Sequence, residues 1–549
     1  MLKRTLLLTC LTLLSLGGSL LPPAASQEPT RAARLGVAFI SSAQEPITDA
    51  RYAAGLATGA GWNRWPLYWS VVEPEPEVWD WTPYDRLVVA DLQHGLQTEV
   101  ILIGTPAVRQ IETRVGRQTG AVPANLWEPV FTDGTDTPGR DKQINPENYW
   151  ATYVYRAVRR YMPGGVLGTL RGLGRDQGIR VWEVWNEPDY ELFWTGGVEH
   201  YVRLLKVAYL AIHHADPEAR VMYGGLANHQ EVDWLEESLS VIAEDPFHEQ
   251  YDWYFDILGV HNYTYALGTW EVVDNARQTL NAFGMHKAIW VNESGVPVWD
   301  DYPGPTWAAD DDRRVLRATM QEQAAFLVQS AAYAFIAGAE VYIWHQLYDD
   351  CGNQRGGTDF PPHAGELCEE GFQCWGDAHG LYRNPADANC FRQHPEPNTP
   401  RPAFYAFQAL AEIFGAHSFT PVSLEHRGAD RLETWITFRR PATHERILVV
   451  WNRSGAEVDV AIPAVGDRAT LYDISGHSGE IRPSEAGEYH LILPPATNRT
   501  YPYLPPTEQY AIGGAPYILV ERDLAEMPFR ATENTGDAPA SRRSPRLTP

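Results

Sequence analysis

Eight short apolar runs, each followed by a stretch of helical pattern, recur between residue 35 and about residue 415 of the 549-residue chain. The runs cover residues 35–40, 62–68, 98–104, 180–185, 220–224, 255–261, 288–292 and 340–344. Several are rich in Val, Ile, Trp and Tyr, as strands buried on both faces should be. Helical segments lie between them, at 146–161, 199–214 and 313–337 among others, and Asp216-Pro217 gives a stop signal after the second. A strand–helix unit repeated eight times predicts an α/β fold of the (β/α)8 TIM-barrel kind, with insertions. The alternative is a doubly wound open sheet. No Gly-rich phosphate fingerprint follows the first run, which weakens that option.

Two insertions follow the third and eighth runs, at 107–145 and 347–398. Both leave strand C-terminal ends, where barrel enzymes build their sites, so they are expected to wall a cleft. Beyond residue 416 the pattern changes to short runs at 432–438, 446–451, 458–462, 470–474, 489–493 and 517–520, with turn residues between. These predict a C-terminal β-sandwich. The expected plan is an export signal over 1–26, a barrel over 31–416, a sandwich over 417–525 and a disordered tail over 526–549.

Lys3 and Arg4, the mostly apolar stretch 5–21 and the small residues Ala24-Ala25-Ser26 make the export signal. The apolar stretch holds Thr, Ser and Gly and is marginal for a bilayer span. A secreted protein follows, extracellular or at the cell surface, with no membrane insertion once the signal is removed. Cys10 has too early a position, and no small residue before it, for a lipid-attachment site. Cys351, Cys368, Cys374 and Cys390 fall in one segment at spacings of 17, 6 and 16, with no C-x-x-C pair. In an oxidising compartment they read as two disulfides with three possible connectivities, in preference to a zinc site. The formal net charge of −26 repels phosphate backbones and argues against a nucleic-acid partner. The 20 Trp and 27 Tyr could stack on sugar rings or simply fill a core.

The fourth run ends Val181-Trp-Glu-Val-Trp-Asn186-Glu187-Pro188, and the seventh ends Ile289-Trp-Val-Asn292-Glu293-Ser-Gly295. Pro188 cannot continue a strand ladder, and Gly295 closes the other strand. Glu187 and Glu293 are therefore expected on one barrel face, three strands apart. Glycosidic bond cleavage usually needs two such carboxyl groups flanking one sugar carbon. Taken singly, either Glu is an ordinary turn or surface residue; their shared placement carries the reading.

At these residues the chain resembles clan A glycoside hydrolases, the retaining TIM-barrel superfamily, and families 39 and 5 most nearly. The resemblance covers residues 35 to about 415. It implies that Asn186-Glu187-Pro188 supplies the acid/base and that Glu293 is the nucleophile. It also implies substrate-binding or supporting roles for Arg64, Asn186, His261, Tyr263 and Trp344, the last as the floor of the sugar pocket. The implied activity is double-displacement hydrolysis of β-linked glycosides; the two long insertions favour exo-action on terminal sugars of oligo- or polysaccharides, with endo-action as the alternative. β-Xylosidase, β-glucosidase and β-galactosidase activities all fit. No metal and no cofactor are expected, because the carboxyls carry the chemistry.

Other acids read differently. Glu183 is expected to be a buried structural carboxylate paired with Arg64. Glu73 is expected in a turn, and Asp349 and Asp350 at the rim or in solvent. A carbohydrate-binding surface protein without catalysis is the rival from another class, although its loss of hydrolysis would usually replace one Glu. The sugar, the linkage, the oligomeric state and the role of the sandwich stay open at this level.

Overall fold

A strand buried on both faces can carry a charged side chain only where another polar group meets it. That rule organises the barrel of this protein. The computed structural model describes residues 32–43, 47–111, 121–228, 233–301, 316–349, 378–388, 394–415, 418–501, 503–504 and 508–522. Eight strands, β1 (Ala32–Ala38), β2 (Ala60–Tyr68), β3 (Gln97–Ile103), β4 (Val181–Val184), β5 (Arg220–Leu226), β6 (Ile257–Asn262), β7 (Ala288–Ser294) and β8 (Val341–Trp344), pair in parallel. They run in sequential order, and β8 returns to β1 to close the barrel. All eight overlap the runs read from the sequence. The predicted TIM barrel is the fold.

Trp62, Val181, Met222, Ile257, Trp290, Val341 and Ile343 plug the lower barrel. Outward-facing residues join the helices in a separate, larger core. The helix Met320–Ile336 shows how local sequence fixes an element. Its N-cap Thr319 accepts from the backbone of Glu322, whose side chain answers at the Thr319 N–H. Registers shift between β5 and β6, β6 and β7, and β7 and β8, each toward the strand C-terminal ends. Such irregularities re-aim side chains, and here they fall on the site-bearing strands.

The described part of the insertion after β3 does not simply wall the barrel mouth. Arg203 and Asn148 bind the carbonyls of Leu126 and Glu128, and Phe131 meets His214 edge-on at 5.2 Å. His214 lies at the end of helix Val198–Ala215, far from the N-terminus that faces the mouth. This stretch therefore drapes down the outside of the barrel, drawn by Arg203 and an aromatic seat. The four cysteines after β8, the expected export signal and the expected C-terminal tail lie outside the described residues.

After helix Pro402–Leu410 come β9 (Thr420–Arg427), β10 (Glu433–Arg440), β11 (Glu445–Asn452), β12 (Val458–Pro463), β13 (Ala469–Tyr472), β14 (Ser478–Ile481), β15 (Glu488–Leu493) and β16 (Tyr517–Arg522). Six form one sheet in the order β14-β13-β16-β11-β10-β9, and β12 pairs with β15. Trp435, Leu448 and Val450 face the small sheet, while Ile436, Phe438, Ile447, Val449 and Trp451 join the core of the barrel helices. The larger sheet is thus buried on both faces. Gln329 on the barrel helix exchanges 3.0 Å hydrogen bonds with Gly513 and Gly514. Among the described residues, no helix is long and apolar enough to cross a membrane.

Candidate active site

The site lies where the strand ends from β4 to β8 lose regularity. After β4, Trp185 and Glu187 both take positive φ, at 71° and 46°. Such angles are uncommon for residues with a Cβ and need surrounding structure to hold them. The Trp185 N–H is fixed to the Leu102 carbonyl at 3.0 Å, and its indole donates to Phe193 O at 2.7 Å. Trp185 therefore turns outward, and Asn186 and Glu187 turn inward together. Strand parity alone does not produce this arrangement. On β7, with its shifted register, neighbouring Asn292 and Glu293 both reach polar groups inside the barrel.

Arg64 on β2 is fully buried and joins these parts. Its guanidinium bonds Glu293, Glu99 at 3.1 Å, Glu183 at 2.9 Å and Asn186 Oδ1 at 2.8 Å. Glu183 is thus paired with Arg64, as read from the sequence. From β6, His261 Nδ1 lies 2.8 Å from Glu187 Oε1 and 3.6 Å from Glu293 Oε2. The Tyr263 hydroxyl donates to Glu293 Oε2 at 2.5 Å. Glu187, His261 and Glu293 each place one atom within 4.8 Å of the other two.

The two carboxyls are shifted in opposite directions. Burial raises Glu187, and the Glu293 charge adds to this, against the opposing effects of His261 and Arg64. Burial also pushes Glu293 upward, but His261, Arg64, His345 and the Tyr263 hydroxyl outweigh it. They hold Glu293 well below the usual carboxylate range. His261 is disfavoured as a cation by burial, yet the charges of Glu293 and Glu187 carry it above its ordinary value. Burial and the Glu293 charge keep the Tyr263 hydroxyl protonated and able to donate. A carboxyl shifted toward its protonated form thus faces an ionised carboxylate across a short gap. Glu187, His261 and Glu293 also have the chemistry of metal donors, but the Arg64 guanidinium sets a fixed positive charge against one of them, which disfavours a cation there.

No protein-family model matches the sequence, and no curated protein matches it. Solved structures do match in fold. A family 39 glycoside hydrolase from the gut symbiont Bacteroides cellulosilyticus WH2 is 16% identical, with a TM-score of 0.55 over 90% of this chain and 81% of that one. A glucosidase from Croceicoccus marinus is 13% identical, with a TM-score of 0.52 over 90% and 96%. The GH39 enzyme from Xanthomonas axonopodis pv. citri is 14% identical, with a TM-score of 0.51 over 90% and 96%. The chain shares the barrel fold of these structures.

Arg64, Asn186, Glu187, His261, Tyr263 and Glu293 come together in this cluster. Trp344 does not. Tyr342, of the same strand parity, bonds Ser330 on the outer helix at 3.0 Å, and Trp344 is fully buried with its ring 6.3 Å from Phe326 of that helix. Its indole donates to His379 O at 3.1 Å. The inward position belongs to His345, in step with Val341 and Ile343 of the inner layer. The His345 ring lies 5.8 Å from Tyr263 and 5.5 Å from His379. Counting alternate residues on β8 would have identified it.

Gly225 was also missed. Its N–H donates to Glu183 at 2.8 Å, and its carbonyl accepts from the Glu187 N–H at 2.9 Å. A Cβ there would lie 2.0 Å from His261 Nε2. Only a residue without a side chain leaves His261 this place.

Two other acids are settled by their partners. Asp349 is not a rim residue: it is buried in a bidentate pair with Arg401 at 2.6 and 2.8 Å. Asp350 lies outside the described residues. Glu73 follows the short helix after β2 and is buried, accepting from Trp69, the Glu77 backbone and Arg109.

Proposed function

We propose that the protein is a retaining glycoside hydrolase of clan A type, acting on β-linked oligo- or polysaccharides by double displacement. One observation carries this reading. Two buried carboxyls have oxygens within 4.8 Å of each other, one shifted by its surroundings toward the protonated form and the other held ionised. Retaining glycosidases hold their carboxyls about 5–5.5 Å apart, and inverting ones about 6.5–9.5 Å apart to admit a water. The gap here fits the first class.

In the first step Glu293 attacks the anomeric carbon while Glu187 gives its proton to the departing glycosidic oxygen. A glycosyl ester on Glu293 and a free alcohol result. In the second step the Glu187 carboxylate takes a proton from water as that water attacks the anomeric carbon. Glu293 is released, and both groups return to their starting states. Asn186, held by Arg64, is placed for the sugar 2-hydroxyl, and Tyr263 and Arg64 aim the nucleophile.

The test is proton NMR of the first sugar released from an aryl β-glycoside. The β anomer appears first under this reading; the α anomer first would rule it out. We further propose exo-action on terminal sugars, supported by the length of the segment that follows β8, since barrel enzymes build their sites from such connections. Release of monosaccharide without an early fall in polymer viscosity is expected. A rapid viscosity drop would instead assign endo-action. A panel of aryl xylosides, glucosides and galactosides identifies the sugar.

A further inference from the structure

Beneath Glu187 and Glu293 lies a second pair of carboxyls that the reaction steps do not use. Glu99 on β3 and Glu183 on β4 both touch the Arg64 guanidinium, and all three side chains are fully shielded from water. Arg64 also holds Glu293. Three carboxyls thus share one guanidinium. The nearby His261 is engaged by Glu187 and Glu293, not by the lower pair. A buried carboxylate without compensation takes up a proton in preference to staying charged.

The distribution of donors shows which one. Glu183 is served on both oxygens: by Arg64 at 2.9 and 3.1 Å, the Gly225 N–H at 2.8 Å and Asn292 Nδ2 at 3.1 Å. Glu99 receives Arg64 Nε at 3.1 Å and Asn292 Nδ2 at 2.8 Å, both on Oε1. Among the described residues, nothing donates to Glu99 Oε2. The groups facing Glu99 are Arg64 from β2, Glu183 from β4 and Asn292 from β7, with Glu293 next along β7. Burial pushes the Glu99 carboxyl well above its usual range, and the Glu183 charge pushes it further, against Arg64 and Asn292. Two carboxyls can face each other comfortably only with a proton on one of them.

We propose that Glu99 holds a proton in the resting protein, so that the Arg64 charge is divided between Glu183 and Glu293 and not among three carboxylates. Glu99 is then a positioning residue. Its neutral carboxyl occupies Arg64 Nε and Asn292 without drawing charge from the carboxylate above. The consequence for catalysis rests on the proposed role of Glu293; the proton itself does not.

Infrared difference spectra of Glu99→Gln against its parent test this directly. Recording both in a Glu187→Gln background removes the band of that acid. The parent is expected to show the carbonyl stretch of a buried protonated carboxylic acid, shifted in D2O, and the Gln variant to lose it.

A second readout is the melting temperature against pH. An unfolded Glu releases its proton near about pH 4.3, whereas folded Glu99 keeps it to higher pH. The folded state then binds more protons above that pH, and Glu99 makes stability fall as pH rises. The melting temperature of Glu99→Gln minus that of its parent should therefore increase between about pH 5 and about pH 8. Should the variant not fold, loss of the same D2O-sensitive band in Glu99→Met, recorded in the Glu187→Gln background, carries the test. Absence of that band, or a difference that shrinks as pH rises, overturns the proposal. Neither readout uses turnover, so a failed glycosidase assay and a failed proton assignment are distinguishable.

Discussion

Two buried charge clusters lie at the C-terminal side of this barrel, and they are built differently. In one, Arg64 faces Glu99, Glu183 and Glu293, with His261 between Glu293 and Glu187. In the other, Asp301 meets Arg383 at 2.8 Å, His394 at 2.9 Å and Arg401 at 3.0 Å, while Arg401 also grips Asp349. The first cluster has more acids than cations. The second is balanced, and it ties the segments after β7 and β8 to the start of helix Pro402–Leu410. Balance suits a clasp, because each charge is satisfied and neither partner needs to change protonation. Excess acid forces protons onto some carboxyls and off others, which is the condition an acid/base pair requires.

The comparison can be broken at several points. The largest effect is expected from Glu293→Ala, which should lower kcat on aryl β-glycosides by on the order of 10⁴-fold. Azide should restore part of the rate and give a glycosyl azide of inverted configuration, detectable by mass spectrometry and NMR. Glu187→Gln should cost about 10²–10⁴-fold, and least for substrates whose leaving group departs without a proton. A rate independent of leaving group would remove Glu187 from the acid role.

Gly225→Ala tests the space around His261. The added methyl must displace the buried imidazole, and a loss of roughly 10²-fold in kcat is expected, together with a destabilisation of about 1–3 kcal/mol. In the clasp, Arg401→Met takes the guanidinium from buried Asp349, while Asp301 keeps Arg383 and His394. Denaturant titration should show a loss of about 3–5 kcal/mol, while folded protein keeps its turnover.

Acidity separates the clusters further. Burial pushes Asp301 upward, but Arg401, Arg383 and His394 hold it well below the usual range. Its contribution to stability is therefore complete above about pH 4 and lost as pH falls through the lower folded value. Activity should fail at the other end, as pH rises through the raised value of Glu187 and the acid loses its proton. The smallest expected effect is that of a chelator. EDTA should leave turnover unchanged, whereas a loss restored by a divalent metal would assign Glu187, His261 and Glu293 to a metal centre.

The sequence showed the barrel clearly because each strand is a short apolar run with a helix behind it. Two sandwich strands escaped. β9 contains Pro421 and is mostly half-exposed or exposed, and β14 reads Ser-Gly-Glu-Ile on the surface, so neither carries an apolar signature. Glu187 and Glu293 were legible from Pro188 and Gly295, which mark strand ends. The route by which Glu187 turns inward was not, since it depends on positive φ at Trp185 and Glu187. Trp344 was misplaced because residue type outweighed strand parity, and His345 was lost by the same choice. Asp349 pairs with a residue 52 positions away, and no local pattern announces such a partner. Gly225 matters for the space it leaves, which only the packed structure displays.

The most direct measurement is covalent trapping. A 2-deoxy-2-fluoro β-glycoside with a good leaving group forms the intermediate and slows its breakdown. Intact mass followed by peptide mapping should place a single sugar on Glu293. A label on another residue, or full turnover of such substrates with no adduct and an inverted product, would contradict the account.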